Sequence, residues 1–194
     1  MLPIGPLMIE HRLILRMIGM LRTEHDRIKD GGEPDLIFID HAVDFIRTYA
    51  DQTHHGKEED ILFRELKDKE LSPEHQEIMD QLIAEHVQSR QTTRAIVDAK
   101  ERYVAGEAGA LDEILEKMEF LSGFYPAHID KEDHHFFTEV IRYFTKDEQD
   151  ALLQEGREFD RKMIHRKYEK VVLDHEQERG IDNPPNKGNW MEYL

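Results

Sequence analysis

Twelve histidines in a chain with 42 acidic residues make metal coordination the first chemistry to consider, and two ten-residue segments concentrate it. The segments from His54 to Phe63 and from His128 to Phe137 both read H-x-x-K-E-[ED]-x-x-x-F. A Glu-His pair precedes each: Glu10-His11 before the first, Glu85-His86 before the second. The spacing is kept, since His54 and His128 lie 74 residues apart and His11 and His86 lie 75 apart. A histidine and a glutamate four residues apart share one helix face. The repeat therefore describes a duplicated helical hairpin that offers nitrogen and oxygen ligands to a two-metal site.

Spacing alone is weak evidence, because H-x-x-x-E arises roughly twice by chance in a chain of this composition. It occurs here at His54, His55, His128, His135 and His165. Position on the helix separates these. Steps of three or four through Val43, Ile46, Ala50, His54, Glu58 and Leu62 trace one mostly apolar stripe. His55 continues instead through Asp51, Thr48, Asp44 and His41, a solvated face, and reads as an outer or surface residue; the second copy has Ile129 in its place. On the other copy the stripe runs Ile114, Met118, Leu121, Phe124, His128, Glu132, Phe136 and Val140. A carboxylate set between Phe124 and Phe136 needs a compensating partner, since burying an unpaired charge costs several kcal/mol, and a metal supplies one. His135 lies near the same face and is a rival.

His86 shares a face with Met79, Leu82, Thr93 and Ile96, and His11 with Ile4, Leu7, Ile14, Leu15 and Ile18. A lone histidine on such a face is more often a satisfied core residue than a ligand. His25 returns to the direction of His11 and competes with it; the Glu-His repeat favours His11. Glu59 and Asp133, which follow the two stripe glutamates, read as helix-surface acids or as hydrogen-bond partners of ligand imidazoles. Glu10 and Glu85 are candidates to relay protons or admit iron.

These residues need long helices to carry them. Periodicity and punctuation predict a helix over 7–28 ending at Gly31-Gly32-Glu33-Pro34, and a second from Asp35 to about Lys67. A third follows Ser72-Pro73 and runs to about Val104, with Gly106 to Gly109 as the break. A fourth covers 111–144, with Pro126 expected to kink it before His128, and a fifth covers 147–178. Short connections and the lack of any period-2 pattern predict an all-α fold: an antiparallel up-down four-helix bundle with an additional C-terminal helix. The domain occupies 1–179, and 180–194, with Pro184-Pro185, forms a C-terminal loop or tail. Helix lengths place His54, His86 and His128 at one level, roughly 20 Å into the bundle at ~1.5 Å per residue.

Composition excludes several alternatives. A net charge of −16 argues against nucleic acid and anionic lipid as partners. No cysteine is present, so a metal must be held by histidine and carboxylate. The apolar N-terminal stretch is interrupted by Glu10, His11, Arg12 and Arg16, no segment spans a membrane, and a cytoplasmic protein is expected. Oligomeric state is not legible.

The arrangement His11, His54-x-x-x-Glu58, His86, His128-x-x-x-Glu132 resembles the hemerythrin-like, or HHE cation-binding, domain over roughly residues 7–144. The resemblance implies two iron ions, oxo- or hydroxo-bridged, with the four histidines as nitrogen ligands and Glu58 and Glu132 as bridging carboxylates; zinc or manganese also suits this donor set. Oxygen-carrying hemerythrins use five histidines, whereas four are matched here. The pattern is closer to four-histidine members associated with nitric oxide response and repair of iron centres. A fifth ligand has four candidates, His165 first, then His135, His55 and His25. The function implied is binding of, or reaction with, a small diatomic or peroxide ligand (oxygen, nitric oxide or peroxide) in sensing, scavenging or iron-centre repair. The alternative is an iron or zinc store or sensor without redox turnover; whether the protein is an enzyme is left open.

Overall fold

The computed structural model describes residues 1–178, apart from the side chains of 164–166 and 168–178. The expected tail at 180–194, and the side chains of His165, Tyr168 and Glu169, lie outside the described residues. Among the described residues there are five helical rods and no strands.

Helix α1 spans Ile4–Lys29. Gly31 ends it at φ 95°, where its N–H reaches the Ile28 carbonyl and the Gly32 N–H reaches that of Arg27. This left-handed turn satisfies the last carbonyls at a conformation that favours glycine. The rod α2 (36–66) starts on Asp35, whose carboxylate accepts from the Phe38 N–H at 3.0 Å. It is α-helical over Leu36–Phe45, π-helical over Ile46–His55 and again over Glu58–Phe63, and closes with an α-turn at Arg64–Leu66. Helix α3, Pro73–Val104, is capped by the Ser72 hydroxyl, which accepts from the His75 N–H.

The rod α4 (110–143) is α-helical over Ala110–Lys131, carrying through Pro126, then π-helical over Glu132–Phe136 before shorter turns to Tyr143. Its departure from regular winding falls at the glutamate rather than just before His128. Helix α5, Lys146–Glu178, begins on a capping box: Thr145 Oγ1 accepts from the Glu148 N–H and the Glu148 carboxylate accepts from the Thr145 N–H.

Two apolar clusters fill the bundle. One contains Ile14, Ile18, Ile39, Ala50, Ile96, Ile114 and Tyr125. The other contains Ile4, Leu7, Leu62, Met79, Leu82, Phe136 and Val140. Chain order through them fixes the topology. Helix α1 passes from the second cluster through His11 to the first, and α2 runs back from the first through His54 to the second. Helix α3 then repeats the α1 direction through His86, and α4 the α2 direction through His128. This is the antiparallel up-down bundle, with a layer of histidine and glutamate between two apolar caps. Helix α5 lies against the π-helical part of α2.

Candidate metal centre

All six residues singled out from the repeat, His11, His54, Glu58, His86, His128 and Glu132, are buried and meet in this layer. The carboxylates sit between two nitrogen groups. Glu58 directs Oε1 to His54 Nε2 at 3.3 Å and Oε2 to His86 Nε2 at 3.4 Å. Glu132 directs Oε2 to His11 Nε2 at 3.2 Å and Oε1 to His128 Nε2 at 3.1 Å. Each carboxylate thus faces the α1/α2 histidines with one oxygen and the α3/α4 histidines with the other.

The far nitrogens are held in a crossed pattern. Glu10 accepts from His54 Nδ1 at 2.9 Å and Glu85 from His128 Nδ1 at 2.7 Å. Asp133 accepts from His11 Nδ1 at 2.9 Å and Glu59 from His86 Nδ1 at 2.7 Å. A neutral imidazole that donates from Nδ1 keeps a bare lone pair on Nε2. His11 and His54 then point two Nε2 lone pairs at each other across 2.9 Å, an arrangement that needs a cation or a proton to be stable. The helix-surface reading of Glu59 and Asp133 is set aside, and Glu10 and Glu85 orient histidines.

The motif lysines, given no role in the sequence, complete this frame. Lys57 pairs with Glu10 and, at 2.7 Å, with Asp160 of α5; Lys131 pairs with Glu85. Arg90 binds Glu59 and Asp51, both at 2.7 Å. Phenylalanine rings close the layer: Phe137 stacks on His11, Phe63 on His86 and Phe124 on His128, with centroids 5.4–6.0 Å apart.

One sequence expectation fails. His55 is 1% exposed, not on a solvated face, and its ring stacks on His86 with centroids 3.9 Å apart. The reason is the winding of α2. Its expected stripe assumed α-helical steps, whereas the backbone here makes i→i+5 hydrogen bonds, as from the Gly56 N–H to the Asp51 carbonyl. The wider turn brings both His54 and His55 inward. Of the other fifth-histidine candidates, His135 is exposed, and His25 is buried but bonded to its neighbour Asp26, about four turns along α1 from His11.

Metal fit can be judged from the buried polar atoms left without a hydrogen-bond partner. Among the described residues these are both oxygens of Glu58 and of Glu132, Nε2 of His86 and of His128, and Nδ1 of His55. Orphaned buried acceptors in one layer are costly unless a cation satisfies them. Two donor groups result, His11-His54-Glu58-Glu132 and His55-His86-His128, each with its ligand atoms within 4.8 Å of one another. Either could hold a metal.

Electrostatics agree. Burial works against a charged His54 ring, yet the Glu58 charge and the bond to Glu10 outweigh it and push its pKa up to about 10. His128 is likewise pushed up to about 10, with Glu132 and Glu85 overcoming burial. Burial opposes ionisation of Glu132, but His128 and His11 hold it well below the usual carboxylate range. Burial, with His86, His54 and His128 nearby, keeps His55 well below the ordinary histidine value. The layer draws in positive charge, as protons or as metal.

A family model for the hemerythrin HHE cation-binding domain matches residues 2–140. A search of curated proteins and a search of solved structures each returned no match. No helix among the described residues is long and apolar enough to cross a membrane. The chain belongs to the hemerythrin HHE cation-binding family.

Proposed function

We propose that the chain holds two iron ions in the histidine-glutamate layer and uses them to bind or react with a small diatomic or peroxide ligand: oxygen, nitric oxide or peroxide. His11 and His54 would hold one metal, His86 and His128 the other, with Glu58 and Glu132 bridging. The carrying observation is that each carboxylate turns one oxygen to each histidine group. A pair of ferrous ions supplies electrons to a bound diatomic or peroxide ligand, a chemistry no side chain in this layer performs.

The chain's own residues prepare that chemistry. Glu10, Glu59, Glu85 and Asp133 hold the imidazoles by Nδ1, fixing tautomer and ring direction so that Nε2 faces the carboxylates. Phe63, Phe124 and Phe137 keep bulk water from the rings. Lys57, Lys131 and Arg90 offset part of the charge of the outer carboxylates without reaching the inner ones.

Sensing, scavenging and repair of iron centres all fit this reading, and the net charge of −16 favours cation traffic over nucleic acid or membrane partners. Because histidine and carboxylate also suit other divalent metals, iron or zinc storage or sensing without redox turnover is the competing function. Protein purified without added metal should carry iron, show a ligand-to-metal absorption band once oxidised, and, after reduction, develop new absorption when nitric oxide or peroxide is added. Colourless zinc protein, inert to all three ligands, would favour storage or metal sensing.

A further inference from the structure

We propose that the cavity between α1, α2 and α5 is a docking and entry site for an uncharged diatomic ligand, the class of oxygen and nitric oxide, on the His11/His54 side of the layer. The inference rests on the diatomic-ligand reading above and says which of its ligands the protein admits, and by what route.

The cavity has about 40 Å³ of room, roughly three times the ~10–15 Å³ that one water needs, so it takes a diatomic molecule and little more. Leu7 of α1, Ile61 and Leu62 of α2, and Leu152 and Leu153 of α5 supply most of its wall, and all but Leu153 are buried. Arg157 and Asp160, both exposed, mark the side open to solvent. The inner end adjoins the layer. Leu7 stands four residues before His11, about 6 Å along α1. Leu62 stands four residues after Glu58, and Lys57, whose ammonium pairs with Glu10, stands one before it. Helix α5 begins at Lys146, beyond the residues 2–140 that the family model matches, so one wall of the cavity lies outside the family domain.

Gly156 keeps the space open. It lies inside α5, where glycine is among the poorest helix formers, at a φ that other residues adopt freely. Close packing does not require it either: a Cβ there would meet nothing nearer than Lys57 Cδ at 4.0 Å, whereas a Cβ on Gly56 would stand 2.9 Å from the Phe159 ring. What the missing side chain leaves is the cavity.

Such a cavity selects by polarity. An apolar gas gives up little hydration on entering and gains dispersion contacts. Hydrogen peroxide gives up hydrogen bonds that the leucines do not replace. Anions are disfavoured further by the net charge of −16. The route therefore favours oxygen and nitric oxide over peroxide.

Xenon, an uncharged apolar atom, is the probe for docking and needs no metal. Crystals of the metal-free chain under xenon pressure should show a xenon peak bordered by Leu7, Leu62 and Leu152, and none there in Gly156→Leu, whose side chain fills the space. Entry is read by stopped-flow mixing of nitric oxide with iron-loaded, reduced protein. Gly156→Leu should slow association and dissociation together by about tenfold with Kd unchanged, because a blocked route alters rates and not the bound state. Leu153→Trp, at the half-buried rim, is the second variant should Gly156→Leu not fold. No xenon in the wild-type cavity overturns the docking site. Xenon in wild type, with wild-type rates in a folded cavity-filling variant, overturns the entry role. Wild type that takes up xenon but whose irons ignore both nitric oxide and oxygen overturns the functional reading, and the entry role with it.

Discussion

The two hairpins of the bundle share one design and differ in two additions, both made to the first. In each, the residue before a layer histidine reaches across to the next helix, Glu10 to His54 and Glu85 to His128. In each, the residue after the layer glutamate reaches to the other hairpin, Glu59 to His86 and Asp133 to His11. The first hairpin has a buried histidine, His55, where the second has Ile129, and α5 packs along the π-helical part of its second rod. There Gly56 admits Phe159 so closely that a Cβ on residue 56 would stand 2.9 Å from its ring, and Arg64 forms two hydrogen bonds to Glu155. The comparison teaches that duplication supplied a symmetric frame, and that single-copy features impose direction on it.

The largest expected effect tests the symmetric part. Each hairpin contributes one histidine pushed up to about 10, His54 and His128, against an ordinary value of 6.5. A group whose pKa is higher in the folded state stabilises fully below its unfolded value and loses that contribution as pH rises through the folded one. Metal-free protein should therefore lose thermal stability from about pH 6.5 to 10, whereas metal-loaded protein should not, because metal has replaced the protons. His54→Gln and His128→Gln should each remove a comparable part of the dependence in a melting series, with His86, which the layer carboxylates also raise, keeping the remainder. Unequal removal would break the equivalence.

The lysines test the asymmetric part. Lys57 is 4% exposed and holds both Glu10 and Asp160, while the Lys131 side chain is 26% exposed and holds Glu85 alone. Lys57→Met removes a buried ammonium, leaves the partly buried Glu10 with His54 as its partner and releases the exposed Asp160, and should cost about 2 kcal/mol in denaturant unfolding. Lys131→Met should cost about 1 kcal/mol or less. Equal losses would mean that α5 adds nothing to the first hairpin.

A smaller effect sharpens the frame itself. Glu10→Gln and Glu85→Gln remove matched orienting carboxylates, and each should weaken metal binding by about tenfold to a hundredfold in a chelator competition. Unequal losses would show that the two orienting carboxylates are not interchangeable.

Much of this was legible in the residues. Helix limits followed from Asp35, Ser72-Pro73 and the glycines at 31, 106 and 109, because caps and left-handed turns act locally. His54, Glu58, His128 and Glu132 were found by α-helical stepping, since one donor per turn tolerates a small error in winding. His55 was lost to the same stepping, which cannot anticipate a π-helical rod whose hydrogen bonds depend on what packs around it. Lys57 and Lys131 stood in the motif, but their partners are 47 and 46 residues away in the chain. His25 shows the converse error: its direction agrees with His11, but its level in the bundle does not. The seat of α5 rests on contacts such as Gly56 with Phe159 that no local pattern announces.

The central claim is that the glutamates bridge two metals. Anomalous diffraction at the iron edge from iron-loaded crystals tests it most directly. Two peaks per chain, both between the Glu58 and Glu132 carboxylates, one beside His11 and His54 and the other beside His86 and His128, are the expected result. A single peak, or peaks away from those carboxylates, would contradict it.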